Sequence, residues 1–112
     1  MRRLMAVAAV ATLLSVAAAR TASAAEAKDI WKDKCAKCHG EDGKGQTKIG
    51  QKLGIKDFTD AKTQDGFKDD AAFKAIKEGL KDKEDKITMK AAEGVSDDEI
   101  KALIGYVRSL KK

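Results

Sequence analysis

Five residues, Cys35-Ala36-Lys37-Cys38-His39, constrain this chain of 112 residues more than any other stretch. On a helix the two cysteines stand three residues apart and His39 four from Cys35, so all three side chains leave roughly one face. One face can hold one flat ligand. Two thiols at this spacing can add across the two vinyl groups of a haem, and the next residue then offers an imidazole nitrogen to the iron, the pattern of c-type haem attachment.

Three other readings fit the same residues. A Cys-x-x-Cys pair serves as a dithiol redox site, but usually after a strand in a βαβ unit, and here a helical stretch precedes it. Zinc needs four ligands, and the chain has neither a third cysteine nor a second histidine, so a carboxylate or water would have to complete the set. Chance co-occurrence is the third, because the motif is short.

The chain opens with Arg2 and Arg3, an apolar run from Leu4 to Ala19, and Ala22-Ser23-Ala24, the small-x-small pattern a signal peptidase accepts. This predicts a signal peptide over 1–24, cleaved after Ala24, and a single domain over 25–112. The apolar run is too short and too rich in alanine to span a bilayer, and Arg20 ends it early. The paired arginines lack the flanking residues of a twin-arginine signal, and no cysteine near the cleavage point offers a lipid anchor.

Cleavage removes Arg2, Arg3 and Arg20 and no acids, leaving 20 basic against 18 acidic side chains. The net charge falls from +5 to +2, and two haem propionates would bring it near neutral. Lysines and acids alternate along the chain instead of clustering with aromatics, which argues against nucleic acid as a partner. The 88 residues left after removing 24 of the 112 can bury only a small core. Beyond Trp31 its aromatics are Phe58, Phe67, Phe73 and Tyr106. A covalently held haem would supply the missing apolar bulk, and thioether bonds would protect both thiols from oxidation outside the cytoplasm.

Ala27, Ile30, Trp31 and Lys34 recur at helical spacing and predict a first helix over about 25–37, running into the motif. Gly40, Gly43 and Gly45 then make a turn-rich loop through which backbone can pass close under a planar ligand. A phosphate loop is disfavoured because Gln46 and Thr47 stand where a lysine and hydroxyl pair belong. Ile49, Leu53, Ile55 and Phe58 read as loop residues that turn inward. Asp57, Asp60 and Asp65 lack the spacing of a calcium loop and read as turn and capping residues.

Asp69 or Asp70 is expected to cap a second helix with Ala72, Phe73, Ile76 and Leu80 on one stripe. Residues 81–86 are all charged and read as a solvated loop. Ser96 and Glu99 form a capping box for a last helix whose stripe is Ile100, Leu103, Ile104, Val107 and Leu110, with Gly105 expected to admit a crossing helix. No β pattern and no repeat is visible. The fold class is therefore all-α.

With these residues in hand the chain resembles a class I c-type cytochrome, a small exported monohaem cytochrome c. The resemblance rests on the helix entering Cys35-Ala36-Lys37-Cys38-His39-Gly40, the Glu41-Asp42-Gly43-Lys44-Gly45 loop, one methionine before the last helix, and the segment Asp98-Glu99-Ile100-Lys101-Ala102-Leu103-Ile104-Gly105-Tyr106-Val107-Arg108. It implies a cytochrome c-like fold in which the N- and C-terminal helices cross at right angles beside the haem. Haem c would be held by thioethers at Cys35 and Cys38, with His39 as proximal and Met89 as distal iron ligand. The chain departs from the family in having no proline. A backbone carbonyl within 46–50 could still accept the proximal imidazole proton, but the stiffness of both ligand loops is then unaccounted for.

Met89 can also be reached by elimination, since Met1 and Met5 lie in the signal segment and His39 is the only histidine. Core packing is the competing role for that methionine, and lysine or water could fill the sixth position instead. With both axial positions filled, the iron has no open site for substrate, which makes the expected function one-electron transfer by a periplasmic carrier and not an enzyme. Its partners would be transient redox proteins, with no stable membrane association and a monomeric state. Two alternatives remain: an open-site haem protein acting as gas sensor or peroxidase-like enzyme, and a haem-free thiol oxidoreductase using Cys35 and Cys38. Mass spectrometry of a periplasmic extract should find a chain beginning at Ala25; recovery of residues 1–20 in membranes would contradict the export reading.

Overall fold

The computed structural model describes residues 22–112, so apart from Ala22, Ser23 and Ala24 the expected signal segment lies outside the described residues. Ser23 accepts the Glu26 N–H at 3.1 Å and caps α1 (Ala24–Ile30). The helix does not stop there. It widens into a π-turn (Trp31–Cys35), in which the Ala36 N–H reaches back to the Trp31 carbonyl, and continues as α2 (Ala36–His39) up to Gly40. The cysteines and histidine thus sit inside the last turns of the first helical segment, slightly beyond the end expected from the apolar spacing.

Short helices follow. Thr47 caps α3 (Lys48–Leu53) and Asp60 caps α4 (Ala61–Asp65), while Asp57 closes a turn by accepting from both the N–H and the hydroxyl of Thr59. The expectation that the apolar residues here all turn inward fails for two of them. Ile55 and Phe58 are half-buried, but Ile49 and Leu53 are 37% and 43% exposed on α3. The short helix fixes their direction, which is away from the protein core.

α5 (Asp69–Glu78) begins after Lys68, and neither Asp69 nor Asp70 caps it. Both fall in its first turn, where the helix dipole favours negative charge, and Asp69 is engaged by Arg108. Gly79 ends α5 at a φ of 79°, so Leu80 leaves the expected stripe. It enters β1 (Leu80–Lys81), antiparallel to β2 (Ile87–Met89), with Leu80 opposite Met89 and Lys81 opposite Ile87. This ladder corrects the reading of a chain without strands. Strands of two and three residues are too short to leave a period-two pattern in the sequence.

The capping box of α6 (Asp97–Ser109) forms as expected, with the Glu99 N–H donating to Ser96 and the Ser96 N–H to Glu99. α6 packs across α1, and the core consists of Ala27, Trp31, Ile76, Ile100, Leu103, Ile104 and Val107, with Ile30, Phe58, Phe67, Met89 and Tyr106 half-buried against it. Gly105 is not the point of close approach. A methyl group there would meet nothing within 4 Å, whereas Ala27, fully enclosed on α1, is the small residue at the contact. Among the described residues no helix is long and apolar enough to cross a membrane. Leu103, 1% exposed, should cost about 2–4 kcal/mol when replaced by alanine, measured by denaturant unfolding; a neutral substitution would contradict this packing.

Candidate functional site

The first helical segment brings Cys35, Cys38 and His39 together, and the packing around them is asymmetric. The imidazole of His39 stacks on Phe58, with centroids 5.2 Å apart and planes 24° from parallel, and lies 5.4 Å from the Trp31 ring. Trp31 is itself fixed by donating its indole N–H to the Gly40 carbonyl at 3.0 Å. Burial holds the pKa of His39 below its ordinary value, so at neutral pH the ring is uncharged and keeps a lone pair for a metal.

Glycine lets the following loop fold back onto this helix end. The Gly45 N–H donates to the His39 carbonyl at 2.7 Å, and the Thr47 hydroxyl donates to the Cys38 carbonyl at 2.6 Å while accepting the Gly50 N–H at 2.8 Å. Gly43 accepts the Phe58 N–H, and Gly50 the Ile55 N–H, both at 2.9 Å. These bonds tie the loop down at several points where no proline stiffens it. The same economy holds near Met89. A methyl group at Gly79 would stand 2.5 Å from the Met89 carbonyl, and the Ala92 N–H bonds the Ile76 carbonyl at 2.9 Å, so the segment after β2 is pinned to the end of α5.

One buried polar atom stands out. His39 Nδ1 is enclosed and has no hydrogen-bond partner. The expected acceptor within 46–50 is not found: the Gln46 carbonyl accepts from the Gln51 side chain, that of Thr47 from the Gln51 N–H, and that of Gly50 from the Ile55 N–H. Buried polar groups without partners are rare and costly. What fits a metal-bearing macrocycle is the set itself, an imidazole and two free cysteines on a helix end that glycines allow to be approached closely.

Cys35 does not suit the attacking role in a dithiol oxidoreductase as it stands. Burial pushes the Cys35 thiol up to about 11, against a pull from Lys34 and with a small addition from Cys38. An attacking thiol of an oxidoreductase needs the opposite shift. Among the described residues there is also no group of three or more His, Cys, Asp or Glu side chains placed to hold a metal ion, so the zinc reading finds no ligand set.

Met89 comes from a separate element, β2, where it is half-buried against the core. Among the described residues the large apolar side chains left exposed are Ile49 and Leu53 on α3, and Leu80 and Ile87 on the hairpin that carries Met89. The sequence pattern alone does not mark Thr47, Gln64 or Arg108 as site-supporting residues. Arg108 carries a signal, being the only arginine after Arg20 in a chain otherwise rich in lysine, and arginine is used where several acceptors must be held in fixed geometry. Gln64 and Thr47 carry none.

A family model for cytochrome c matches residues 24–111. Similar solved structures include a chain described as KustC0563 c-type cytochrome, 33% identical with a TM-score of 0.65, covering 77% of this chain and 98% of that one. A point mutant of Kustc0563 is 32% identical with a TM-score of 0.62, covering 76% and 98%. Comparison with curated proteins gives no match. The chain belongs to the cytochrome c family: it is a haem-based electron carrier of cytochrome c-like fold, and not an enzyme.

Gly50 tests the loop geometry. A methyl group there would collide with the Gly45 carbonyl and stand 2.6 Å from the Cys38 carbonyl, so Gly50→Ala should destabilise the fold by about 1–3 kcal/mol or more, read as a lowered denaturation midpoint. An unchanged midpoint would show that the loop does not close on the helix end in this way.

Proposed function

We propose that this chain is an exported monohaem one-electron carrier, with haem c joined by two thioether bonds at Cys35 and Cys38 and iron held between His39 and Met89. The observation that carries the reading is the convergence of two free cysteines and the His39 imidazole in the same helical turns. A haem bound there supplies a centre that cycles between ferric and ferrous iron.

The chain's own residues do the rest. Trp31 and Phe58 both pack against the imidazole, and the loop bonds from Gly45 and Thr47 fix the carbonyls of His39 and Cys38. Ile49, Leu53, Leu80 and Ile87 offer apolar surface that a macrocycle would cover, on the elements that follow the motif and that carry Met89. Were haem bound, Met89 would offer its thioether and His39 its imidazole to the iron, a ligand pair that would favour the ferrous state.

Export through a signal peptide over 1–24 puts the carrier in the periplasm, as a monomer that docks briefly with redox proteins and binds neither nucleic acid nor, stably, a membrane. Cleavage after Ala24 would also remove Ser23, so the exported helix would begin without its hydroxyl cap.

Met89→Ala should abolish the long-wavelength sulfur-to-iron charge-transfer band of the ferric protein, lower the reduction potential, and let the reduced form bind carbon monoxide readily. Retention of the band at an unchanged potential would remove Met89 from the iron and favour an open-site haem protein.

A further inference from the structure

Among the described residues Gln64 is the one buried polar or charged side chain of the core, 3% exposed, and its amide is fully used. Its Nε2 donates to the Phe58 carbonyl at 2.6 Å and to the Val107 carbonyl at 2.8 Å, and its Oε1 accepts from Arg108 Nη1 at 3.1 Å. Arg108 Nη1 also donates to the Gln64 backbone carbonyl, its Nη2 to the Phe67 carbonyl at 2.9 Å, and Nε and Nη2 both to Asp69. The guanidinium lies over the Phe67 ring, 4.0 Å from its centroid, and Phe67 meets Phe58 edge-on at 5.8 Å.

The network reaches the site through Phe58. Phe58 is held at its carbonyl by Gln64, at its N–H by Gly43 and at its ring edge by Phe67, while the ring face lies against His39. Asp69 is two-thirds exposed, which limits what its pairing with Arg108 contributes; the enclosed amide is the element that removal would leave most unbalanced, with the Phe58 carbonyl losing its donor and the Val107 carbonyl keeping only the Leu110 N–H.

We propose that Gln64, braced by Arg108, is a positioning residue that sets the plane of the His39 imidazole through Phe58 and so tunes the iron centre. This rests on His39 as iron ligand. The ring plane decides how the imidazole overlaps the iron orbitals, and a side chain that fixes Phe58 against the end of α6 makes that plane a property of the whole fold.

The test uses the haem-loaded protein. Gln64→Met keeps the shape and removes both donors. In the ferric form it should reorder or compress the pattern of paramagnetically shifted haem-methyl resonances, which reports the imidazole plane, and shift the reduction potential. Ser96→Ala, which weakens α6 at its far end without touching Phe58, should lower stability and leave the pattern in place. If Gln64→Met yields no loaded protein, Gln64→Glu, which keeps an acceptor for Arg108, carries the same comparison. An unchanged pattern, an equal change in Ser96→Ala, or failure of both Gln64 variants to load haem would overturn the proposal. A wild-type spectrum without low-spin imidazole signals would overturn it too, by refuting His39 ligation itself; with those signals present, an unchanged variant refutes positioning alone.

Discussion

The contact of α1 with α6 is what the remaining structure depends on. Ala27 is small enough to let α6 lie close, and Ile100, Leu103, Ile104 and Val107 close over it and Trp31. Burial of this apolar surface is the main stabilising term available to a chain with so few aromatics. It also holds the start of the segment whose end carries both cysteines and the histidine. Trp31 belongs to both regions: its ring is core, and its indole N–H holds Gly40, the residue at which that segment turns away.

The apolar stripe of α6, its capping box, the first helix and the motif were legible because each leaves a periodic or positional signature in the sequence. What escaped were features set by contacts distant along the chain. Gly105 has the composition of a crossing point, yet Ala27 fills that role, because which small residue faces a partner depends on the rotation of both helices. Leu80 extends the stripe of α5 on paper, but Gly79 turns the chain at positive φ and delivers it to a strand. Asp69 looks like a cap and is instead an acceptor for an arginine 39 residues later.

The site was half legible. Cys35, Cys38 and His39 are adjacent in sequence, so helical geometry alone assembles them. Their supports are drawn from Thr47, Phe58, Gln64 and Arg108, and no local pattern foretells that a buried glutamine will join two elements 43 residues apart. The bonds that stand in for proline stiffening are backbone bonds of glycines, which composition reveals only as a tendency to turn.

The π-turn over Trp31–Cys35 has a consequence for how the two ends of the first segment are oriented. An α-helix turns by about 100° per residue, so in an unbroken helix the face shown to α6 dictates the face shown by the cysteines. The wider turn inserts a phase offset between them, and it does so through Lys32, Asp33 and Lys34, all exposed. Wide turns of this kind are frequent at functional sites. Here the offset sets the angle between the packing face and the ligand face at a value that an unbroken α-helix over the same residues would not give.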